Sequence, residues 1–351
     1  MTGLVGGRLR YPQRWLVLSA LAPLAGEEFL MLDVLRRLGA RAVAREGQRV
    51  LAWLLPPADI DQLLHEAEAA LRIGTSPTDP SLTWYWQSHD EWSERWKQTL
   101  APRRVTDRIV VAPTDADFEH GGDDNGDVTA AAANFVSDVG DVVDNEGDAV
   151  DNEGDVVIRL EPGMAFGTAE HGTTRGCLRL VEAIVRSGDR VVDIGTGSGI
   201  LAIAAALFGA RHVLALEADP LSALTARRNV AVNGVTNRVI VRAQTVGPGD
   251  LQMLAGRAGS PPLNGPADTR SAHSPTHPRL DVILANLEAD LIGRLLPDCR
   301  ETLAPRGCLI VSGITGGERL AFIDTAAAEG FEVHVQDHVD GWWCATLRPI
   351  A

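Results

Sequence analysis

Cysteine is scarce in this 351-residue sequence, and the few that occur show no pairing pattern. The four cysteines form neither a CxxC pair nor the spacing of a zinc site, and each falls inside an apolar run. We therefore predict reduced cysteines in the protein core and expect no disulfide framework and no metal site. They are Cys177, Cys299, Cys308 and Cys344.

Long hydrophobic runs are also absent. No stretch approaches the roughly 18 apolar residues that a membrane-spanning helix needs. The N-terminal residues, MTGLVGGRLRYPQRW, lack the apolar core of a signal peptide and lead directly into a predicted strand. These absences predict a soluble, cytoplasmic protein with no membrane partner, and we expect it to be a monomer.

Positive charge is missing from one segment of the chain. Residues 115–155 hold 14 of the 47 acidic residues and no Lys or Arg, so the remainder has 33 acids against 32 bases. The formal net charge of −15 therefore belongs to this segment rather than to the rest of the chain. No basic stripe is present, which argues against nucleic acid as the direct substrate.

The acidic segment contains an internal repeat, VDNEGD, at 143–148 and again at 150–155. The spacing does not match an EF-hand loop, and two copies are too few for a repeat fold. A second unusual segment, 247–279, is rich in Pro, Gly and Ser. We interpret both as inserts: a disordered acidic segment and a loop on the outside of the larger domain.

Residues 11–88 alternate in the order β-α-β-β-α-β, which predicts a small ferredoxin-like α+β domain. The unit has no chemical motif, and its His65 lies among acidic residues on a predicted helix, as a solvated surface histidine would. We assign the domain to partner recognition. The predicted strands are 15–20, 41–46, 48–55 and 82–86, and the predicted helices are 26–38 and 57–71.

The sequence predicts a helix over residues 89–104 that links this domain to the rest of the chain. Trp92 and Trp96 are four positions apart in the sequence and therefore share one helical face. Two interpretations remain open at this point. The tryptophans either pack the linker against a neighbouring domain or form a surface that grips a substrate protein.

A strand–turn–helix–strand pattern at 190–219, RVVDIGTGSGILAIAAALFGARHVLALEAD, organises residues 105–351. The first strand ends at Asp193, and a turn containing Gly195, Gly197 and Gly199 follows. The second strand ends at Glu217. Glycines allow the backbone to approach a ligand, and an acid about 20 residues further on can accept ribose hydroxyls. The pattern predicts a site for a nucleotide-type cofactor.

Strands and helices alternate throughout the rest of this region, which predicts an α/β domain with a doubly wound, mostly parallel sheet. The last two strands are joined by only a few residues, so they must form an antiparallel hairpin. The predicted strands are 190–194, 212–216, 239–242, 281–285, 308–312, 331–337 and 342–347. The predicted helices are 173–186, 200–208, 220–233, 287–303 and 317–329.

The spacing of the glycines separates two kinds of cofactor. Nicotinamide-binding turns follow G-x-G-x-x-G, whereas the third glycine here, Gly199, comes one residue early. The early glycine, the acid at Glu217 and the closing antiparallel hairpin together resemble the class I methyltransferases that use S-adenosylmethionine. That cofactor carries no phosphate, so the turn has no phosphate to hold and can lie against its amino acid moiety.

Motifs outside the turn narrow the resemblance to one family. EPGMAFGTAEHGTTRGCL at 161–178 resembles the signature DPGxAFGTGxHxTT, and Ala285-Asn286-Leu287 is similar to ANIL. Asn233-Gly234, the VSG at 311–313 and EWSERWKQTLAPRRV in the linker also match. These motifs resemble those of the ribosomal protein L-eleven methyltransferases, the PrmA family. The likeness covers nearly the whole chain apart from the two inserts.

The resemblance implies methylation of lysine side chains and of the N-terminal amine of a large-subunit ribosomal protein, with S-adenosylmethionine as methyl donor. It places the cofactor against Thr174, Gly195, Glu217 and Asn286, to which we add Gly197 and Asp193 from the turn itself. The chain departs from the family pattern at several positions. Glu170 replaces Thr or a small residue, Gly172 replaces Pro, and Glu217 replaces Asp.

We further hypothesise that Phe166, His171 and Asn286 line the channel for the acceptor amine. His171 either fixes the surrounding loop or transfers protons. One alternative is a methyltransferase of another protein or of a small-molecule amine. The sequence after Asn286 lacks the Pro-Pro-Tyr typical of glutamine and nucleobase methyltransferases. The remaining alternative, a non-catalytic ribosome-binding protein, conflicts with the intact turn, Glu217 and Asn286.

Overall fold

The computed structural model describes residues 4–5, 8–9, 11–21, 31, 34–35, 37–74, 81–99, 102–114, 155–161, 165–252, 254 and 279–350. Both copies of the acidic repeat, apart from Asp155, lie outside these residues. So do most of the predicted helix 26–38 and residues 255–278 of the second insert. The predictions made for those segments therefore stay predictions.

The N-terminal unit is a four-stranded antiparallel sheet in the order β4-β5-β3-β6. Strand β3, the first of the four, lies between β5 and β6, which is the strand order expected of the predicted ferredoxin-like domain. His65 is exposed on the helix, as predicted. The elements are β3 (Arg14–Leu21), β4 (Ala40–Glu46), β5 (Arg49–Leu54), α1 (Ile60–Gly74) and β6 (Thr83–Ser88), preceded by a two-stranded sheet of β1 (Leu4–Val5) and β2 (Arg8–Leu9).

Both faces of this small sheet are covered, because side chains along β3 alternate between two apolar clusters. Leu16 and Leu18 pack with α1, whereas Trp15 packs with Trp53 and Trp92 on the opposite face. Trp92 belongs to the linker helix α2 (His89–Thr99) and is only 4% exposed. This burial favours the interpretation of α2 as a packed linker.

A three-stranded sheet follows the linker, formed by β7 (Arg103–Arg104), β8 (Ile109–Pro113) and β9 (Val156–Leu160). Strands β8 and β9 are parallel. In the sequence, the acidic insert connects the end of β8 to the start of β9. Ile109 and Val111 of β8 and Ile158 and Leu160 of β9 join one of the apolar clusters of the large domain.

The large domain contains a seven-stranded sheet in the order β12-β11-β10-β13-β14-β16-β15. Strands β10 to β14 are parallel neighbours, and β16 lies antiparallel to both β14 and β15. Both the doubly wound sheet and its terminal antiparallel hairpin are therefore confirmed. The strands are β10 (Arg190–Ile194), β11 (His212–Glu217), β12 (Val239–Ala243), β13 (Leu280–Asn286), β14 (Leu303–Thr315), β15 (Phe331–Val339) and β16 (Trp342–Pro349).

Helices cover both faces of this sheet. Successive residues Val191 and Val192 on β10 belong to the two different core clusters, which explains why the strands read as continuous apolar runs. All four cysteines are buried, which confirms their predicted location in the core. The helices are α3 (Gly172–Ile184), α4 (Ile200–Leu207), α5 (Pro220–Val232), α6 (Ala289–Thr302) and α7 (Arg319–Ala328).

Several predicted boundaries were wrong. Helix α1 begins at Ile60 rather than at residue 57. The linker helix α2 ends at Thr99 rather than at residue 104, because Arg103 and Arg104 pair with β8 as strand β7.

Strand β14 begins at Leu303 rather than at residue 308, because Leu303 pairs with Leu280 ahead of a register shift. Helix α6 begins at Ala289 rather than at 287, because the Leu287 amide donates to the Ser312 carbonyl and holds that residue in the sheet. Among the described residues, no helix is long and apolar enough to cross a membrane.

Candidate cofactor and acceptor site

The turn after β10 needs glycine for two separate reasons. Gly195, Gly197 and Gly199 have φ values of 70°, 55° and 85°, in the left-handed region that other residues avoid. A Cβ atom on Gly195 would collide with the Leu287 side chain, and one on Gly197 would collide with the Phe166 carbonyl oxygen. The missing side chains therefore let the turn fit between the segment after β13 and the loop before α3.

Backbone hydrogen bonds hold the turn from both sides. The amides of Gly195 and Thr196 both donate to the Leu216 carbonyl, at 2.9 Å. The Ser198 amide donates to the Phe166 carbonyl at 2.8 Å, and its hydroxyl donates to the Gly167 carbonyl at 2.5 Å. The signature segment around Phe166 is thus part of the turn's support as well as its neighbour.

Glu217 ends β11 with its carboxylate beside the turn. One oxygen, Oε2, accepts the Gly197 amide at 2.9 Å, and the other, Oε1, accepts the Asp219 amide at 2.9 Å. The residue is half-buried, and each oxygen retains a second lone pair. The carboxylate is therefore held at two points and can still accept hydroxyl groups from a ligand.

Asp193 lies beneath the turn rather than on its surface. It is 1% exposed, and its Oδ2 accepts the Thr196 hydroxyl at 2.5 Å. Burial raises the pKa of Asp193 from 3.8 to about 7, with the charge of Glu217 raising it further and the Thr196 hydrogen bond opposing the rise. Its geometry suits a residue that positions the turn.

Two of the predicted cofactor contacts have unsatisfied polar atoms. Among the described residues, three buried side-chain oxygens have no hydrogen-bond partner: Thr174 Oγ1, Glu182 Oε2 and Asn286 Oδ1. A buried polar atom without a partner costs about 1–3 kcal/mol, so such atoms usually meet a ligand or water. Thr174 and Asn286 thus fit a polar ligand bound over the turn.

His171 caps the helix that carries Thr174. Its Nδ1 accepts the Thr173 amide at 3.4 Å and lies 2.8 Å from the Thr173 hydroxyl oxygen, in the position of an N-cap for α3. Its ring is in edge contact with that of Phe166, at 5.2 Å between centroids. This geometry favours the loop-fixing interpretation of His171.

The unusual Gly172 has a steric explanation. The first turn of α3 lies against the tip of the β15–β16 hairpin, and a Cβ on Gly172 would come within 2.6 Å of the Val339 carbonyl oxygen. Arg175 of the same helix forms an ion pair with Asp340 in that tip and donates to the Glu170 carbonyl. A proline at 172 would require the hairpin tip to move.

The Asn-Gly motif after α5 has a structural role. Asn233 exchanges two hydrogen bonds with the backbone of Arg159 in β9, at 2.8 and 2.6 Å. One helical turn earlier, Asn229 accepts the Glu161 amide at 2.7 Å and donates to the Ser198 carbonyl at 2.8 Å. The two amides connect the segment before the signature to the turn. The sequence motif indicated Asn233, but nothing marked Asn229.

Sequence reasoning missed two further features of the site. Trp342, at the start of β16, lies 4.9 Å from the His171 ring. Arg41 of the N-terminal unit forms an ion pair with Asp219 at 2.7 Å, two residues beyond Glu217. Both are contacts between segments distant in sequence, and neither residue belongs to a local motif.

The fold and the site together define the class of protein. The terminal strand is inserted antiparallel into an otherwise parallel sheet, the turn is rich in glycine, and a carboxylate ends the next strand. The chain is a class I methyltransferase and uses S-adenosylmethionine.

Comparison with known proteins identifies the family. A family model for "Ribosomal protein L11 methyltransferase (PrmA)" matches residues 139–349, more than half of the chain. Proteins of that name match from Chloroflexus aurantiacus, 35% identical over 74% of this chain and 69% of that protein, and from Pelotomaculum thermopropionicum, 31% identical over 95% and 98%. A third, from Symbiobacterium thermophilum, is 31% identical over 86% and 81%. The chain belongs to the ribosomal protein L11 methyltransferase family.

Proposed function

We propose that this enzyme transfers methyl groups to lysine side chains and to the N-terminal amine of ribosomal protein L11. The observation that carries the proposal is the family match over nearly the whole chain, in relatives named for that substrate. The buried oxygens of Thr174 and Asn286, which have no hydrogen-bond partner, support a methyl-transfer site that is intact in this chain. They also count against a binding protein that has lost catalysis.

Five of the predicted residues would have separate roles in binding the cofactor. Glu217 would accept the ribose hydroxyls with the lone pairs that its two amide bonds leave free. Gly195 and Gly197 would bring the backbone of the turn close to the amino acid moiety, because glycine tolerates the left-handed φ that the turn requires. Thr174 Oγ1 would hydrogen-bond a polar group of the same moiety. Asp193 would act through Thr196, by holding the turn in shape.

Bound S-adenosylmethionine supplies a methyl group on a sulfonium sulfur, which leaves as a neutral thioether when an amine attacks in line. The chain's own task is therefore to present a neutral amine at the correct angle. A free lysine titrates near 10.4, so the amine must lose a proton before it attacks. Removal from water next to a positive charge lowers that pKa.

Asn286 would orient the acceptor amine. Its Oδ1 is buried without a partner, and an amide oxygen accepts a hydrogen bond from an amine without removing its proton outright. Phe166 and His171 would line the entrance: Phe166 is 49% exposed, and its backbone supports the turn. The released proton would pass to solvent.

The remaining assignments concern the molecule as a whole. We propose that the ferredoxin-like domain, residues 11–88, recognises the protein substrate, that 89–104 links it to the methyltransferase domain of 105–351, and that the enzyme is a cytoplasmic monomer. The balance of 33 acids and 32 bases outside the acidic insert supports a protein substrate over nucleic acid.

To test the proposal, the enzyme is incubated with labelled S-adenosylmethionine and purified ribosomal protein L11. Intact and peptide mass spectrometry then locate the label in the product. We expect label on lysines and on the N-terminal amine of the ribosomal protein. The Asn286→Ala variant serves as the catalytically impaired control. Label on another protein in a fractionated extract, with none on the ribosomal protein, would instead support the alternative of a different amine acceptor.

A further inference from the structure

The strands of the large sheet begin along an edge that is rich in arginine. An arginine stands within two residues of the point where each of the five parallel strands, β10 to β14, enters the regular pairing of the sheet. The strand register places these residues within two positions of one level across the sheet. In the order of the sheet, the arginine edge consists of Arg238, Arg211, Arg190, Arg279 and Arg306.

Parallel pairing of the strands is what assembles this row. More than 20 residues separate successive arginines of the edge along the chain, so the linear sequence shows no basic stripe. Neighbouring strands lie about 4.8 Å apart, so the five arginines span roughly 19 Å. The row ends at β14, because Arg348 of β16 lies opposite Glu332 of β15.

Four of the five arginines take no part in the ion pairs of the described residues. They are Arg211, Arg238, Arg279 and Arg306, and all four are exposed. The guanidinium groups of Arg238 and Arg279 donate instead to backbone carbonyls, at 2.9 and 3.2 Å. A backbone carbonyl satisfies an N–H group without neutralising its charge, so the edge stays positive.

Two acidic residues at this edge hold backbone amides. Asp281 accepts the Arg190 amide and Asp189 accepts the Arg186 amide, both at 2.8 Å. Arg186 is itself exposed and adds a further positive charge beside the row. The arginines therefore outnumber the carboxylates where the strands begin.

The positive groups of the edge lie close enough to act on one another. Burial lowers the pKa of His212, and the charges of Arg211 and Arg190 lower it further. Burial likewise lowers the pKa of Arg190, with the charge of Arg211 as the next cause. An anion bound across the row would offset this mutual repulsion.

We propose that the arginine edge is a docking surface for the phosphate backbone of RNA. The choice of RNA rests on the proposed function, because a ribosomal protein is assembled with RNA. Arginine matches this partner, since its planar guanidinium can donate two parallel hydrogen bonds to one phosphate. Contacts to phosphates carry no base information, so binding should not depend on the RNA sequence.

The docking surface leaves the methyl-transfer site open. Strand β10 begins at Arg190 and ends at Ile194, directly before the glycine turn. The arginine edge and the turn therefore lie at opposite ends of the same strands, about 13 Å apart along the strand. RNA at the edge and an amine at Asn286 can bind the enzyme together.

Fluorescence anisotropy of the full chain with a 5′-labelled 12-nucleotide RNA tests the proposal. We expect log affinity to fall against log salt with a slope of about −3, because about four phosphates would be contacted at about 0.7 each. Arg211→Gln combined with Arg306→Gln should lower affinity at low salt at least about tenfold and reduce the slope by about 1.4. Neither side chain forms a hydrogen bond or ion pair among the described residues, so thermal stability should be retained.

Two further variants separate charge from shape and position. Arg211→Lys combined with Arg306→Lys should keep most of the affinity, because the charge is retained. Arg227→Gln combined with Arg294→Gln removes two exposed arginines from helices α5 and α6 and is the matched control. It should bind RNA within about twofold of the wild type. An unchanged salt slope in the Arg211–Arg306 glutamine variant, or an equal loss in the control, overturns the inference.

Other occupants of the arginine edge would be recognised in the same titration. Displacement of the RNA by poly-glutamate at equal charge concentration would assign the edge to an acidic protein surface. RNA binding that appears only after the acids from Asp115 to Glu153 are replaced by their amides would show that this segment competes for the edge. Either result overturns the inference. Failure of the proposed function would appear separately, as absence of methylation on the purified ribosomal protein by the wild-type enzyme.

Discussion

Glu217 combines an observed structural role with the ligand role that we propose for it. Its carboxylate accepts two backbone amides, those of Gly197 and Asp219. It is a methylene longer than the usual Asp of the family, and the two amide bonds hold this longer side chain in a defined position. Because the position of the carboxylate is fixed, substitution of Glu217 should report its proposed contribution to cofactor affinity.

We predict that Glu217→Ala raises the dissociation constant for S-adenosylmethionine by the equivalent of about 1–3 kcal/mol, because the ribose hydroxyls lose a charged acceptor. Isothermal titration calorimetry measures the change. Glu217→Asp is the matched control and should bind within about threefold of the wild type, because the carboxylate is retained. Unchanged affinity in Glu217→Ala, with thermal stability intact, would rule out the ribose role.

The pKa of Asp193 predicts a dependence of stability on pH. Burial raises it from 3.8 to about 7, so between these pH values the folded state binds a proton that the unfolded state has lost. The free energy of unfolding should therefore fall as pH rises from about 4 to about 7, by at most roughly 4 kcal/mol from this residue. Above that window, no further loss is expected.

Asp193→Asn removes this titration and keeps an oxygen that can accept the Thr196 hydroxyl. We expect its free energy of unfolding to change less with pH than that of the wild type, as measured by urea denaturation at pH 5 and pH 8. The two proteins should differ mainly in the slope of the free energy of unfolding against pH, rather than in its absolute value. Parallel pH profiles would show that Asp193 stays ionised in the fold.

At the scale of single elements, the glycine turn is the most constrained segment of the site. Gly197 combines a left-handed φ of 55° with contact against the Phe166 carbonyl. We predict that Gly197→Ala lowers the free energy of unfolding by about 2 kcal/mol or more and weakens cofactor binding at least about tenfold. Thermal denaturation and calorimetry test both effects.

Gly234 provides the control for this substitution. Its φ is 68°, yet a Cβ there meets no atom within 4 Å. Gly234→Ala should therefore lose only about 1 kcal/mol of stability through backbone strain, with cofactor affinity unchanged. If both variants bind the cofactor equally well, close packing of the turn against Phe166 is unimportant for the ligand.

The start of α3 separates the two roles considered for His171. We predict that His171→Ala loses about 1 kcal/mol of stability, because the N-cap acceptor is removed. His171→Asn should restore that stability, since asparagine is a good N-cap. It should show a lower rate with an unchanged pH profile, because only the ring is lost. A changed pH profile in His171→Asn would instead establish proton transfer.

At the scale of the whole molecule, the two domains meet beside the cofactor site. Arg41 in β4 pairs with Asp219 at the N-terminus of α5, and the Tyr11 hydroxyl lies 2.5 Å from the Thr225 hydroxyl oxygen. Arg228 lies over the Tyr11 ring at 4.9 Å. The Asp219 amide also donates to Glu217, so one residue connects the small domain to the carboxylate that we propose binds the ribose.

We predict that Arg41→Gln raises the dissociation constant for S-adenosylmethionine by about two- to threefold at low ionic strength and by less at high salt, since a partly exposed ion pair contributes up to about 1 kcal/mol. A double-mutant cycle with Asp219→Asn, which keeps the helix cap, isolates the pair. Additive effects of the two substitutions would show that the domain contact is not coupled to cofactor binding.

Much of the fold could be predicted because the responsible signals are local. The spacing of apolar residues, two for strands and three to four for helices, identified most of these elements. The short connection before Trp342 required an antiparallel hairpin. The boundaries at 303 and 289 could not be predicted, because they depend on pairing between Leu303 and Leu280 and between Leu287 and Ser312. Long-range pairing of this kind leaves no periodic trace in either segment.

The sequence by itself determined the chemical class of the site, because the glycines, the acid at 217 and the Pro162–Thr174 signature each lie within one continuous segment. Only the tertiary structure decided what surrounds them. It shows Asp193 beneath the turn, leaves Thr174 and Asn286 unsatisfied, and brings Trp342 against His171. These are properties of packing between distant segments, and they exist only once the sheet has assembled.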